Sequence, residues 1–223
     1  MTHPTPKEAI EIQKKMRALV NTEFLQKEIK YIGGADISLN RFAKEIFAGI
    51  IVLKYPTLEV VEYATLQSET NFPYIPGLLS FREAPALVEV WQKLKRKPDM
   101  LVVDGQGIAH PRRLGIATHI GITLDVPTIG CAKSLLYGVG EEPDLKAGSI
   151  AYLYDKYNKE EILGVQLRTK DNIKPVIVSP GHKVSIEQAI EIMKAMTRKY
   201  RIPEPTRLAH ELVNQFRRGE LHS

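Results

Sequence analysis

The sequence predicts an α/β fold in which a mixed sheet, an antiparallel three-strand meander plus parallel strands, is flanked by helices. Two observations lead to this prediction. Strand-like runs between residues 30 and 66 follow one another through short turns, which is typical of a meander. Beyond residue 80, helical patterns alternate with short apolar runs, which is typical of parallel strands. No Gly/Ser linker or internal repeat divides the 223 residues, so we expect one domain over residues 1–223.

The composition narrows the class of protein. Hydrophobic residues make up 43% of the chain and charged residues 26%, which is ordinary for a soluble globular protein. A net charge of +5 fits a polyanionic partner and is equally typical of a plain soluble surface. The single cysteine, Cys131, excludes an internal disulfide and a cysteine-based zinc site. No stretch resembles a signal peptide or a membrane span, so we expect a cytoplasmic protein without a membrane partner.

The first elements are a helix and the three strands of the meander. Apolar periodicity predicts an amphipathic helix over residues 6–30. Asp36 lies in the first strand among apolar neighbours, where a carboxylate is costly to bury unless it is paired or bound to a metal. The predicted strands are 30–39, 46–54 and 58–66, joined by turns at 40–45 and 55–57.

A proline-rich loop precedes the second helix. Residues 73–76 read P-Y-I-P, and the two prolines stiffen the loop by fixing φ. The loop is either a rigid connector that tucks its tip into the core or a preformed wedge that enters between base steps. The helix opens at Ser80, whose spacing to Glu83 matches a capping box. Glu83 also heads the apolar stripe that continues through Leu87, so its carboxylate points toward the sheet and needs a partner.

Residues 100–113, M-L-V-V-D-G-Q-G-I-A-H-P-R-R, carry the densest set of candidate functional groups. Their apolar run predicts a buried strand that ends at Asp104, and open α/β sheets bind ligands at such ends. Gly105 and Gly107 allow the backbone to approach a ligand closely, and His110 adds a proton-carrying group. This combination suits a metal ion and a phosphate. The alternative is an ordinary Asp-Gly turn.

The remainder of the chain alternates helices and short strands. A helix over 112–124 leads to a strand over 127–131, after which Lys133 is either a surface lysine or a phosphate contact. His210 lies on the last helix, which starts near Pro205; a lone histidine there is more often structural or solvated than a ligand. Further predictions are strands at 149–154, 162–168 and 176–178, and a helix that follows a capping box formed by Ser185 and Gln188.

Three acids occupy positions from which they can meet. The first and fourth strands of such a sheet can be neighbours, which would bring Asp36 beside Asp104, with Glu83 at the head of a helix. Clustered carboxylates repel one another unless a cation lies among them, and Mg²⁺ prefers carboxylate oxygens. Such a site supports phosphodiester hydrolysis. The sequence has neither a P-loop nor a nucleophile elbow, which disfavours the corresponding hydrolases.

Six blocks, in order along nearly the whole chain, resemble the endonuclease V family. The resemblance implies a ribonuclease H-like fold and a DNA repair endonuclease that recognises deoxyinosine, the product of adenine deamination. Such an enzyme cuts the same strand one nucleotide 3′ of the lesion and leaves a 3′-hydroxyl and a 5′-phosphate. It uses Mg²⁺, for which Mn²⁺ substitutes. The blocks are G-A-D-I-S (34–38), P-Y-I-P-G-L-L-S-F-R-E (73–83), V-D-G-Q-G-I-A-H-P-R (103–112), C-A-K-S (131–134), S-P-G-H (179–182) and T-R-L-A-H (206–210).

The resemblance also implies roles for individual residues of this sequence. Asp36, Glu83 and Asp104 would hold the metal, His210 would join the catalytic site, and Lys133 would contact a phosphate. Pro73, Tyr74, Ile75 and Pro76 would form the strand-separating wedge. The pocket for the flipped base would comprise Gly77, Leu78, Leu79, Gly105, Gly107 and His110.

Two alternatives stay open at this point. A related ribonuclease H-like nuclease, acting on inosine-containing RNA or on branched or mismatched DNA, would keep the acids but tolerate loss of Tyr74. A lesion-binding module without activity would bind inosine-containing DNA, and Asp104→Ala would leave its output unchanged. Binding of phosphates gains nothing from extra carboxylates, which favours a nuclease. The expected partner is inosine-containing DNA, or RNA under the first alternative, bound by a monomer.

Overall fold

The computed structural model describes residues 4–39 and 44–221, and eight strands in this part of the chain form one mixed sheet in the order β3-β2-β1-β4-β5-β8-β7-β6. The predicted α/β class with a mixed sheet is confirmed. The helices are α1 (Pro6–Arg17), α2 (Ser80–Lys93), α3 (Ile116–Leu124), α4 (Ile186–Ala195) and α5 (Glu204–Arg217). The strands are β1 (Tyr31–Leu39), β2 (Glu45–Lys54), β3 (Val60–Glu69), β4 (Met100–Asp104), β5 (Thr128–Ala132), β6 (Ile150–Tyr154), β7 (Ile162–Leu167) and β8 (Val176–His182).

The strand pairing contains the predicted meander. β1 pairs antiparallel with β2, and β2 pairs antiparallel with β3. β4 lies parallel to β1 and to β5, whereas β8, β7 and β6 extend the sheet in antiparallel fashion. The prediction that the first and fourth strands are neighbours is confirmed. Of the turn predicted at 40–45, residues 40–43 lie outside the described residues.

Helices cover both faces of the sheet, and alternate residues of β4 separate two apolar cores. Leu101 and Val103 pack in the core beneath α2 and α3. Met100 and Val102 pack in the core beneath α4 and α5. Because side chains alternate along a strand, the Asp104 side chain points to the same face of the sheet as Met100 and Val102, which is the face that α4 and α5 cover. No described helix is long and apolar enough to span a bilayer.

Two predicted helices are shorter than their apolar patterns. The helix predicted over 6–30 ends at Arg17. Leu25, in the segment that follows, is held by a tertiary contact instead: the Gln188 side chain accepts from the Leu25 N–H at 2.6 Å and donates to its carbonyl at 2.9 Å. The helix predicted over 112–124 begins only at Ile116. Arg113 has a left-handed φ of +59° and Gly115 is extended, so neither residue continues a helix.

The two predicted capping boxes have opposite outcomes. The box at Ser185 and Gln188 is confirmed at the start of α4. The prediction of a capping box at Ser80 and Glu83 is wrong. Ser80 is already the first helical residue, and its hydroxyl lies 3.0 Å from Nδ1 of His119. Glu83 is therefore not required as a cap, and its carboxylate is available to another partner.

Candidate active site

Four of the predicted site residues, Asp36, Asp104, Lys133 and His210, meet where the parallel pairing of β1 with β4 ends, beside the carboxyl ends of β4 and β5. Asp36 and Asp104 follow the paired residues Ala35 and Val103 of parallel strands. With His210 of α5 they present ligand atoms that all lie within 4.8 Å of one another. Nδ1 of His210 is 2.8 Å from Oδ2 of Asp36, and Nζ of Lys133 donates to Oδ2 of Asp104 at 2.6 Å.

Local packing explains how α5 comes close to β1. A Cβ added at Gly34 would lie 1.8 Å from the carbonyl oxygen of Pro205, so only glycine lets the start of α5 approach β1 this closely. This close backbone approach brings His210, more than one turn further along α5, beside Asp36.

The acids of this site repel one another. Burial raises the pKa of Asp36 to about 6; the charge of Asp104 also raises it, while His210 opposes the shift. Burial raises the pKa of Glu83 to about 7, with further contributions from Asp36 and Asp104 and opposition from Arg82. Carboxylates that resist ionisation next to one another fit a divalent cation, whose charge would favour the ionised forms.

Glu83 approaches the aspartates from the opposite side. It lies in the first turn of α2, on the other face of the sheet from α5. Among the described residues, the set of ligand atoms within 4.8 Å contains Asp36, Asp104 and His210 but not Glu83. We name Asp36, Glu83 and Asp104 together the acid cluster.

A cavity of about 340 Å³ opens beside the acid cluster, which is a size typical of sites for small ligands. Asp104 and Glu83 line it, so the cavity and the acid cluster are contiguous. Its other lining residues are Tyr74, Pro76, Gly77, Leu79, Ser80, Gly105, Gln106, His110, Leu114, Gly115, Ile116 and Leu136.

The residues predicted for the base pocket divide into two groups. Gly77, Leu79, Gly105 and His110 line the cavity. Leu78 does not, because it is buried in the apolar cluster that includes residues of α1 and α2. Gly107 also lies outside the lining; a Cβ there would meet the Pro180 carbonyl at 2.0 Å, so this glycine permits close backbone packing behind the cavity.

The proline loop lies at the mouth of the cavity. Pro73, Tyr74 and Pro76 are exposed, and the Tyr74 side chain borders the opening. Ile75 packs against the buried cluster that includes Phe72. Of the two alternatives for this loop, the rigid connector therefore describes Ile75, whereas Tyr74 remains accessible for contact with a ligand.

The carbonyl of Gly77, at the end of this loop, accepts three hydrogen bonds. The donors are Nε2 of Gln13 at 3.0 Å, Nη2 of Arg112 at 2.7 Å and Nε2 of His110 at 3.2 Å. Arg112 also donates through Nε to the Gln13 side chain. We name this arrangement the Gly77 clasp. It fixes the backbone of the loop to α1 and to the loop after β4.

The histidine of the clasp is neutral. Burial lowers the pKa of His110 to about 4, and the charge of Arg112 lowers it further, against an opposing hydrogen bond to Gly77. Nδ1 accepts from the backbone N–H of Arg112 at 3.2 Å, which assigns the remaining ring proton to Nε2. His110 therefore serves as a hydrogen-bond donor to Gly77 at neutral pH.

Sequence reasoning missed several residues of this site. Gln13 is fully buried, yet a glutamine on an amphipathic helix carries no signal of such a role. Gln106 donates to the Ser134 carbonyl at 2.8 Å, and its Oε1 is buried without a hydrogen-bond partner among the described residues. Leu114 and Leu136 line the cavity from segments whose apolar residues could equally belong to the core.

The chain is similar to known proteins over nearly its whole length. The endonuclease V family model matches residues 13–211. Endonuclease V of Dictyoglomus turgidum is 53% identical over 214 residues, which cover 96% of this chain and 92% of the relative. The crystal structure of endonuclease V from Streptomyces avermitilis is 37% identical, with a TM-score of 0.90 and coverage of 98% of this chain and 96% of that one.

A further solved relative contains nucleic acid. Endonuclease V of Ciona intestinalis, in complex with a 24-mer DNA containing an inosine followed by a ribo-adenosine, is 27% identical. Its TM-score is 0.83, and the match covers 96% of this chain and 98% of that chain. From the family match and the identity over nearly its whole length, this chain belongs to the endonuclease V family.

Proposed function

We propose that this endonuclease is a Mg²⁺-dependent deoxyribonuclease that recognises deoxyinosine. It hydrolyses the phosphodiester bond one nucleotide 3′ of the lesion and leaves a 3′-hydroxyl and a 5′-phosphate. The observation that carries the proposal is that Asp104 belongs to both the cavity and the acid cluster. A base held in the cavity would therefore keep a neighbouring phosphate beside the acids.

The acid cluster is the proposed metal site. Asp36 and Asp104 would hold the ion from the sheet, and Glu83 would do so from α2. When bound, Mg²⁺, or Mn²⁺ in its place, supplies positive charge that stabilises the charge developing on the phosphate. The raised pKa values of Asp36 and Glu83 support this assignment, since repelling carboxylates are relieved by a cation.

His210 and Lys133 are proposed to complete the catalytic set. His210 holds the Asp36 carboxylate by its 2.8 Å contact, and its half-exposed ring lies at the edge of the acid cluster. Lys133, now paired with Asp104, would turn its ammonium to a phosphate oxygen once a cation neutralises that carboxylate.

The cavity is proposed to receive the flipped hypoxanthine base. Hypoxanthine differs from adenine in carrying a carbonyl where adenine carries an amine, and it lacks the exocyclic amine of guanine. Backbone groups of Gly77, Leu79 and Gly105 would read its edge inside a cavity preshaped by the Gly77 clasp. Tyr74, with the flanking prolines, would occupy the space that the base leaves in the duplex. Leu78 and Gly107 would support the pocket from behind its lining.

A nicking assay tests this function. End-labelled duplexes with and without one deoxyinosine are incubated with Mg²⁺ or EDTA, and wild type is compared with Asp104→Ala. We expect a Mg²⁺-dependent cut one nucleotide 3′ of inosine that the variant has lost. Tight binding of the inosine duplex without any cut would support a lesion-binding module instead.

Inosine-containing RNA is the second candidate substrate. The relative from Ciona intestinalis was solved with a ribo-adenosine directly after the inosine, so a ribose at that position fits that protein. Parallel reactions on DNA and RNA strands of the same sequence separate the candidates. We further infer that residues 1–223 act as one domain, as a monomer, in the cytoplasm.

A further inference from the structure

An exposed tyrosine surrounded by cations lies on the loop between α4 and α5. The Tyr200 side chain is 49% exposed. The Arg207 guanidinium lies 4.7 Å from its ring centroid, and Nζ of Lys199 lies 5.9 Å from it. Lys170 joins the group by donating to the Lys199 carbonyl at 2.6 Å. We name this group the Tyr200 surface; its members are Lys170, Lys174, Lys199, Tyr200, Arg201 and Arg207.

The Tyr200 surface is continuous with the acid cluster. Arg201 donates to the Lys133 carbonyl at 2.8 Å and to the Lys174 carbonyl at 2.7 Å, and Lys133 itself contacts Asp104. Arg207 precedes His210 by three residues on α5, which is about 4.5 Å along the helix axis. The surface therefore begins where the reacting phosphate is expected.

The surface and the cavity lie on opposite sides of the acids. The cavity is built from the start of α2 and the segment before α3, which cover one face of the sheet. The Tyr200 loop connects α4 and α5, which cover the other face. A strand that sends a base into the cavity and a phosphate to the acids would leave the site toward Tyr200.

The charge of the Tyr200 surface is largely uncompensated. Arg207 pairs with Glu204 and Glu211. Within the described chain, none of the other four cations forms an ion pair, and Arg201 donates only to backbone carbonyls. The neighbouring Asp171 accepts from the Ala147 N–H instead. A guanidinium anchored by carbonyls keeps its charge available to an anion.

We propose that the Tyr200 surface binds the cleaved strand on the 3′ side of the cut. Its cations contact the phosphates, and a base of that flank stacks on the exposed part of the Tyr200 ring. Cationic grooves that carry an aromatic side chain bind single strands in this manner, with little dependence on sequence. The proposal rests on the proposed function, because that function fixes which part of the strand passes the acids.

The test compares two inosine oligonucleotides that share one 5′ flank. The long form has about twelve nucleotides 3′ of the inosine, within the range of single-strand sites, and the short form ends one nucleotide after it. Binding is measured by fluorescence anisotropy in EDTA, so no cutting occurs. Tyr200→Ala and Tyr200→Phe are compared with wild type. Tyr63→Ala is the matched control, because Tyr63 is 45% exposed and lies on the edge strand β3.

We expect Tyr200→Ala to raise the Kd of the long oligonucleotide about tenfold and to leave that of the short one unchanged. Tyr200→Phe keeps the stacking ring and binds like wild type, and Tyr63→Ala changes neither Kd. Lys174→Ala reduces the slope of log Kd against log salt concentration by about 0.7, and it does so for the long oligonucleotide alone.

An equal effect of Tyr200→Ala on both oligonucleotides, or no effect on either, would overturn the proposal. Failure of the proposed function has a different signature. In that case the wild-type protein would bind the long inosine oligonucleotide no better than the same strand with adenine at that position. The two claims therefore fail in separate arms of one experiment.

Discussion

Two regions border the same cavity, and their polar groups are satisfied in opposite ways. In the acid cluster, burial and mutual repulsion raise the pKa values of Asp36 and Glu83, so the ionised cluster is unfavourable without a cation. In the Gly77 clasp, a neutral His110 and two further donors saturate one carbonyl before any ligand arrives. The acid cluster is suited to bind a cation, and the Gly77 clasp keeps the backbone that lines the cavity in one conformation.

The largest expected effect comes from removing one charge of the acid cluster. Asp36→Asn keeps the size of the side chain and an oxygen for the contact with His210 but removes a proposed metal ligand. We expect the rate of cutting to fall by about a thousandfold or more. Single-turnover nicking at saturating Mg²⁺ measures it. Asp125→Asn, which changes an exposed acid on the far end of α3, should leave the rate unchanged.

The same substitution should raise the stability of the metal-free protein at high pH. Asp36 holds its proton up to about pH 6 in the folded state, against an ordinary value of 3.8. Folded protein therefore loses stability as pH rises from about 4 through about 6, because the carboxylate must ionise where it is buried. At pH 8 we expect Asp36→Asn to be more stable than wild type by about 1–3 kcal/mol.

Thermal or urea unfolding in EDTA at pH 4 and pH 8 measures this difference. The buried histidines titrate with the opposite sign: burial lowers the pKa values of His110 and His119 to about 4, so stability falls as pH drops from about 6.5 through about 4. That contribution is common to both proteins and cancels in the comparison. A stability difference that stays constant between the two pH values would show that Asp36 is not destabilised by its charge.

Breaking the Gly77 clasp should have a smaller effect than Asp36→Asn, and this effect should be on the binding of inosine-containing DNA by the cavity. Gln13→Ala removes one donor to the Gly77 carbonyl and the acceptor for Nε of Arg112, at a cost of about 1–3 kcal/mol in stability. We expect inosine-containing DNA to bind about tenfold more weakly, since the pocket is less preorganised. Affinity for Mn²⁺ should not change. Gln166→Ala is the matched control, because Gln166 of β7 also donates to a backbone carbonyl, that of Glu141, and does not line the cavity.

More of the acid cluster than of the Gly77 clasp could be predicted from the sequence. Strand periodicity is a local signal that places Asp36 and Asp104 on strands, and the order of the elements allows those two strands to be neighbours. The approach of His210 depends on where α5 packs, and its partner lies 174 residues away. Its role followed only from the family resemblance.

The Gly77 clasp left almost no trace in the sequence. It depends on Gln13, a single buried glutamine within α1, and on a backbone carbonyl of the proline loop. Similarly, the first turn of α3 was assigned too early because Arg113 adopts a left-handed conformation that only tertiary contacts stabilise. Tertiary hydrogen bonds decide these positions, and propensity does not encode them.

The most direct test of the central claim, that the acid cluster holds the catalytic cation, is a Mn²⁺ titration followed by the electron paramagnetic resonance signal of the free ion. Wild type, Asp36→Asn and the control Asp125→Asn are titrated at pH 8 without nucleic acid. We predict saturable binding to wild type and to the control, and at least about tenfold weaker binding to Asp36→Asn. Equal Mn²⁺ affinity in all three proteins would contradict the assignment of the metal to the acid cluster.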